Sequence, residues 1–296
     1  MRKNFNYYKL KQSLMLLKEL ENPISSFMYY IGIKDTVTVK TKKIGSYDFD
    51  SSNRDLCHSL LLSLPYLNEN NIDICKDFFL QCCSKNEIIT LPHFKVLNDQ
   101  CGIFSEQFIE YPYLYKNAEE GKTIIDIGSN VGDTVLDFAS KGLVVYGFEP
   151  VKDLYELSLR NIELNPDLKD NVHLYNYAVS YKNGKITISN MKSTSDYIEG
   201  NESYEIDVIS LGEIINRYNI EPQLLKIDCE GCEFDIIKNF DMSLFEEIIL
   251  EHHANYRNED YENLVGKLIE YGFKVDLIPL WIFDMDDFGI IHAYKE

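Results

Sequence analysis

The chain has 296 residues, 45% hydrophobic, 13% aromatic and 26% charged, a balance that fits a globular protein with a sizeable core and excludes disordered and fibrous classes. Its formal net charge of −19 disfavours a DNA or RNA substrate, because binding a line of phosphates relies on Lys and Arg to displace counterions.

The first segment, "MRKNFNYYKLKQSLMLLKEL", places Leu10, Leu14 and Leu17 on one side of an expected amphipathic helix that Pro23 ends. Lys18 and Glu19 interrupt its apolar part, so it does not read as a signal peptide, and no apolar run approaches the roughly 20 residues of a membrane span. "KDTVTVKTKKIGSYDFD" alternates like strands, "DLCHSLLLSLPYL" reads as a buried helix, and "EIITLPHFKVLND" returns to strand. This α+β lead-in, residues 1–103, carries no motif with a chemistry of its own.

From Lys122 the texture changes to apolar strands separated by helices, the pattern of a parallel sheet covered on both faces. Strands are expected at "TIID", "VVYGFE", "VHLYNYAV", "LLKID" and "EEIILEH", with helices at "DTVLDFASK", stopped by Gly142, and "VKDLYELSLRNIELN", stopped by Pro166. An insertion from Ser180 to Ser210 contains "KNGK", a hairpin-type turn. The chain closes with "FKVDLIPLWIFD" and "GIIHAYK", expected as an antiparallel pair on the sheet edge.

The stretch Gly128-Ser129-Asn130-Val131-Gly132-Asp133 occupies the six places of a dinucleotide-binding G-x-G-x-x-G turn. Only the first glycine is in place. Asp133 sets a carboxylate where a pyrophosphate needs bare N–H groups, which argues against NAD. A positively charged ligand suits the acids Asp126, Asp133 and Asp228, and S-adenosylmethionine carries both a sulfonium and an ammonium. Glu149, ending the next strand, can accept the two hydroxyls of a ribose. The plainer alternative is a tight strand-to-helix turn with Asp133 as a cap.

The ordered set "IIDIGSNVGD", "VVYGFEP", "LRNIELN", "YAVS", "VISLGEI", "LLKIDCEGCEFDIIK" and "IILEHH" resembles the FkbM family of S-adenosylmethionine-dependent methyltransferases over residues 104–296. The resemblance implies a Rossmann-like class I methyltransferase sheet, here with an α+β N-terminal lead-in, and methyl transfer to a hydroxyl of a sugar, glycan or secondary metabolite. Carried over by position, Asp126, Gly128, Ser129, Asn130 and Gly132 hold the methionine end of S-adenosyl-L-methionine and Glu149 its ribose. Ala178 borders the adenine, and Asp228 faces the cofactor from the other side. Where the family often has an acid, this chain has Gly212, so a polar contact there must be absent or move to Glu213.

An alcohol needs a base as the methyl bond forms, and the candidates are Asp228, Glu230 and Glu233, with His252 as the alternative. No metal is predicted. Cys229 and Cys232 form a C-x-x-C without a second Cys or His pair, so they are expected as small packing residues. The seven scattered Cys are expected as reduced thiols of a cytoplasmic protein. The expected partner is a small-molecule or glycan hydroxyl acceptor, with Tyr111, Tyr113 and Tyr197 able to stack on a sugar face. The rival from another class is a non-catalytic methyltransferase-like module that serves a glycan-assembly enzyme as partner.

Overall fold

The computed structural model describes residues 18–30, 32–84, 86–98, 101–105, 113–188, 204–257, 259–280 and 285–296. The helix expected around Leu10, Leu14 and Leu17, and also Tyr111 and Tyr197, lie outside the described residues.

Two compact units divide the chain, Met1–Leu114 and Tyr115–Glu296. In the described part of the first, helix α1 (Pro23–Tyr30) precedes an antiparallel hairpin of β1 (Val37–Thr41) and β2 (Gly45–Phe49). Val37, Val39 and Thr41 alternate inward along β1, as the sequence pattern requires for a half-buried strand. Helices α2 (Arg54–Ser63) and α3 (Ile72–Cys83) follow, and Phe79 of α3 meets Tyr47 edge to face at 6.1 Å. A short hairpin, β3 (Ile88–Thr90) with β4 (Lys95–Leu97), and helix α4 (Cys101–Ser105) complete the described part.

The second unit is built on a seven-stranded sheet. Chain order gives β5 (Thr123–Ile127), α5 (Asp133–Ser140), β6 (Val144–Phe148), α6 (Lys152–Glu163) and β7 (Val172–Tyr175). Three strands form a side sheet: β8 (Ala178–Ser180), β9 (Gly184–Ile188) and β10 (Tyr204–Ser210). The chain then returns through α7 (Leu211–Tyr218), β11 (Leu224–Ile227), α8 (Glu233–Asn239), β12 (Glu247–His252), α9 (Ala254–Arg257) and α10 (Tyr261–Glu270) to β13 (Lys274–Ile278) and β14 (Gly289–Tyr294). The main sheet runs β7-β6-β5-β11-β12-β14-β13. Strands β5, β6, β7, β11 and β12 are mutually parallel, and β14 is antiparallel to both of its neighbours.

Why this architecture follows is visible in burial. Every residue of β11 and β12 is buried, the signature of central strands covered on both faces, and Ile236, Ile237, Leu264 and Leu268 of the helices close over Leu225, Ile227, Ile248 and Leu250. At the amino end of the sheet, buried Glu247 accepts from the backbone amides of Lys116 (2.6 Å) and Asn117 (2.7 Å) and pairs with His292.

Two local expectations change. The segment "VHLYNYAV" is not one strand: Asn176 turns out of line, and its side-chain amide donates to the carbonyls of Glu149 (2.8 Å) and Pro150 (3.0 Å), dividing β7 from β8. Nor does "KNGK" join a hairpin, because β10 lies between β8 and β9, parallel to the first and antiparallel to the second. The Asn183 side chain instead accepts from Ser210 N (2.7 Å), tying the turn to the end of β10.

Candidate active site

Sheet order reverses direction between β5 and β11, and crevices of open α/β sheets form at the carboxyl ends of the strands flanking such a point. The two strand tips are in contact there. Asp228 N donates to Ile127 O (2.9 Å), and a Cβ on Gly128 would run into the Asp228 carbonyl oxygen. Gly128 also has φ +81°, so this position needs glycine for both conformation and room. Gly132 (φ +82°) opens α5 with its Cα against Ser158 of α6, while Asn130 (φ +46°) holds the turn between them in the left-handed region.

Beneath this turn lies a buried charge cluster. Lys226 Nζ is 3.1 Å from Asp126 Oδ1, 3.7 Å from Asp228 Oδ2, and donates to Gly128 O (2.8 Å). Burial works against the ammonium, but Asp126, Asp228, Asp133 and Glu251 together raise its pKa above the usual lysine value. Thr134 donates its hydroxyl to the other Asp126 oxygen. Fully buried Asp126 thus lies beneath the turn with Oδ2 hydrogen-bonded to Thr134 and Oδ1 ion-paired with Lys226 but without a hydrogen-bond partner among the described residues. Asp133, also buried, has its carboxyl pushed up to about 7 by burial.

Glu149 ends β6 with its side chain buried. Its Oε2 accepts from Asn130 N (2.9 Å) and its Oε1 from Val151 N (2.8 Å). Burial raises its pKa to about 7, although these two hydrogen bonds and Lys226 act in the other direction. Each oxygen retains a lone pair for a further donor. The buried Oδ1 of Asn130 and Oγ of Ser129 have no hydrogen-bond partner among the described residues. An adenosyl cofactor fits this acceptor set, with hydroxyls for Glu149 and an ammonium for Asn130 Oδ1. Ala178 stands at the start of β8, packed against Ile206 and Val208.

On the other side of the switch point, the loop after β11 carries the acids. Asp228 and Glu230 keep 30% and 40% of their side chains exposed, and Glu230 has φ +56°. Glu233 is fully buried, and its oxygens accept from Gly231 N (2.8 Å) and His253 N (2.7 Å), bracing the loop to the end of β12. His253 joins this group, with Nε2 3.4 Å from Glu230 and Nδ1 3.6 Å from Glu233. Burial opposes its charged form, but the Glu233 hydrogen bond and the charges of Glu230 and Asp228 raise its pKa to about 9. Glu230 itself is raised by burial, which His253 partly offsets.

His252 is not part of this cluster. Successive residues of a strand point to opposite faces, so His252 turns away from Glu251 and His253 and stacks on Tyr261 of α10 at 5.1 Å. It is fully buried, and burial lowers its pKa to about 4. Of the three residues of "EHH" at the end of β12, it is His253, not His252, that lies beside the acids, and the period of two along the strand is the signal that distinguishes them. A second correction concerns Cys229 and Cys232, which are joined in a disulfide with Cα atoms 5.4 Å apart. The left-handed Glu230 and Gly231 between them fold the chain back and bring the two Cα atoms together. The other five cysteines are free.

The strand order and the reversed β14 define a Rossmann-like class I methyltransferase fold. The model of the methyltransferase FkbM domain matches residues 126–275, and the chain belongs to that family of S-adenosylmethionine-dependent methyltransferases. Among solved structures, methyltransferase FkbM from Methylobacillus flagellatus KT is similar at 14% identity over 82% of this chain, with a TM-score of 0.46. This chain covers 60% of that structure's length. Aeropyrum pernix fibrillarin in complex with natively bound S-adenosyl-L-methionine is similar at 15% identity, covering 64% of this chain and 70% of that one, with a TM-score of 0.36. Magnesium protoporphyrin IX methyltransferase from Synechocystis PCC 6803 with bound cofactor is similar at 11% identity, over 60% of this chain and 71% of that one, with a TM-score of 0.37. No curated protein matches the chain. Among the described residues no helix is long and apolar enough to cross a membrane.

Proposed function

We propose that the chain transfers the methyl group of S-adenosylmethionine to a hydroxyl of a neutral, polyhydroxylated acceptor such as a sugar or glycan. The observation that carries this reading is the pair of half-exposed carboxylates, Asp228 and Glu230, beside a turn whose Asn130 and Glu149 suit an adenosyl ligand. When bound, the cofactor supplies an electrophilic methyl on a sulfonium.

The chain's own residues do the rest. Asn130 Oδ1 and Glu149 orient the donor. Asp126, Lys226 and Glu233 hold the two strand tips and the loop in register, so their role is positioning. Glu230 takes the hydroxyl proton: its side chain is accessible, and burial raises its basicity above that of an ordinary carboxylate. Asp228 accepts a hydrogen bond from the acceptor and sets its approach. An anionic acceptor would be repelled by the acids around this edge, which favours a neutral one.

The test is transfer of a labelled methyl group to a panel of glycans, small alcohols, RNA and protein. Label in a hydroxylated small molecule or glycan, lost in Glu230→Gln, supports the reading. Label in RNA or protein alone overturns it.

A further inference from the structure

We infer that Asp228, Glu251 and His253 form a binding site for one divalent cation of the manganese type, next to the proposed acceptor position. One ligand atom from each of the three residues lies within 4.8 Å of the others. In an octahedral ion with bonds of about 2.1–2.2 Å, ligand atoms sit about 3 Å apart when adjacent and about 4.4 Å when opposite. The three side chains therefore close on one ion with only small side-chain adjustments.

Strand register brings them together. β11 and β12 are parallel with Ile227 opposite Leu250, so Asp228 and Glu251 are the next neighbours along the two strands, and His253 follows two residues on, on the same face. Their backbones are fixed by contacts unrelated to any ligand: Asp228 N to Ile127 O (2.9 Å), and His253 N to Glu233 (2.7 Å). Glu251 and His253 are 6% and 5% exposed, so two of the three ligands project from a buried, rigid base. Lys226 Nζ, 3.7 Å from Asp228 Oδ2, opposes a cation on that oxygen, but it sits closer to Asp126, at 3.1 Å.

The charge balance favours an added cation. Asp126, Asp228, Glu230, Glu233 and Glu251 share the region with Lys226, and because His253 ligates as the neutral imidazole, the ion takes over the positive charge that its proton would carry beside Glu230 and Glu233. Two carboxylates and one imidazole suit manganese, iron or cobalt in the divalent state better than calcium. Three protein ligands also leave positions open for oxygens of an acceptor. That use rests on the methyl-transfer reading; the existence of the site does not. In the transfer, the C–O bond forms as the sulfonium C–S bond breaks, a neutral thioether leaves, and the hydroxyl proton goes to Glu230.

The experiment is titration of chelator-stripped full-length protein with Mn2+ alone, followed by calorimetry and electron paramagnetic resonance, with S-adenosylmethionine binding measured separately in EDTA. The expected result is one Mn2+ per chain, pulsed-resonance coupling to a single imidazole nitrogen in the wild-type protein, and at least tenfold weaker binding in Asp228→Asn and Glu251→Gln. The nitrogen coupling needs no variant, so it decides the matter even if a substitution fails to fold. Absence of stoichiometric Mn2+ binding, or binding without nitrogen coupling, overturns the site. If S-adenosylmethionine binds in EDTA while Mn2+ does not bind, the methyltransferase reading stands and the metal site falls. If Mn2+ binds with the nitrogen signal and no hydroxyl acceptor takes label, the metal site stands and the acceptor reading falls.

Discussion

Glu149→Gln separates the electrostatics of the proposed ribose site from its shape. The carboxylate is buried and receives two backbone amides, at 2.9 and 2.8 Å, and cofactor hydroxyls would add hydrogen bonds to a charged acceptor. Losing one such bond is worth about 1.5–3 kcal/mol, or a dissociation constant about 10- to 150-fold weaker. The same residue gives a pH signature. Its folded pKa of about 7 lies above the ordinary 4.5, so its contribution to stability is fully present below 4.5 and is lost as pH rises through 7. That rise corresponds to about 3 kcal/mol. A ligand that needs the ionised carboxylate must bind more tightly as pH rises toward 7, by about tenfold per pH unit, and level off above it. Isothermal titration with S-adenosylmethionine from pH 5.5 to 8.5 should show this slope in the wild type and little of it in Glu149→Gln. A folded variant that binds within twofold of the wild type across that range would remove Glu149 from the site.

Gly128→Ala should cost about 3 kcal/mol or more, because the new Cβ meets the Asp228 backbone and φ is positive, whereas Gly266→Ala, with open space in the middle of α10, should raise stability by about 0.5–1 kcal/mol; urea unfolding compares the two. For the disulfide, thiol titration of the unreduced, denatured protein should find the five free cysteines, with Cys229 and Cys232 appearing only after reduction. Reduction should lower stability by about 2 kcal/mol, since the closed loop is short. His252→Phe should preserve the stack on Tyr261 and leave methyl transfer near wild type, while His253→Gln should lower it at least tenfold; equal loss in both variants would put His252 back among the catalytic candidates.

Much of the second unit was legible because burial leaves a strong mark on parallel strands. "TIID", "LLKID" and "EEIILEH" are apolar runs bounded by acids, and β5, β11 and β12 occupy them. The closing antiparallel pair was legible as two apolar runs, "FKVDLIPLWIFD" and "GIIHAYK", and β13 and β14 fall in them. What the local pattern could not report was pairing between distant segments. "KNGK" has hairpin chemistry, yet β10, which starts only at Tyr204, enters between the strands on either side of it. Asn176 likewise breaks a continuous apolar run for a tertiary reason, two carbonyls at the end of β6.

The site shows the same division at finer scale. Residue types at the strand ends pointed to this edge of the sheet as the place for an adenosyl ligand, since Asp126 lies near the end of β5 and Glu149 and Asp228 follow apolar strands. Which acid faces the crevice and which stands beneath it depends on partners that only the fold supplies. Asp126 is held beneath the turn by Lys226 and Thr134, and both oxygens of Glu233 accept backbone amides, so both are fully buried behind the loop that carries Asp228 and Glu230. Glu230 differs from both because its left-handed backbone turns its side chain outward between two cysteines that hold the loop closed. The histidines make the point most sharply. Types alone leave His252 and His253 equivalent, but strand geometry sends one to Tyr261 and the other to Glu230. Counting by twos along β12 puts Leu250 and His252 on one face and Glu251 and His253 on the other, and that parity places Glu251 and His253 on the side of Asp228 and Glu230.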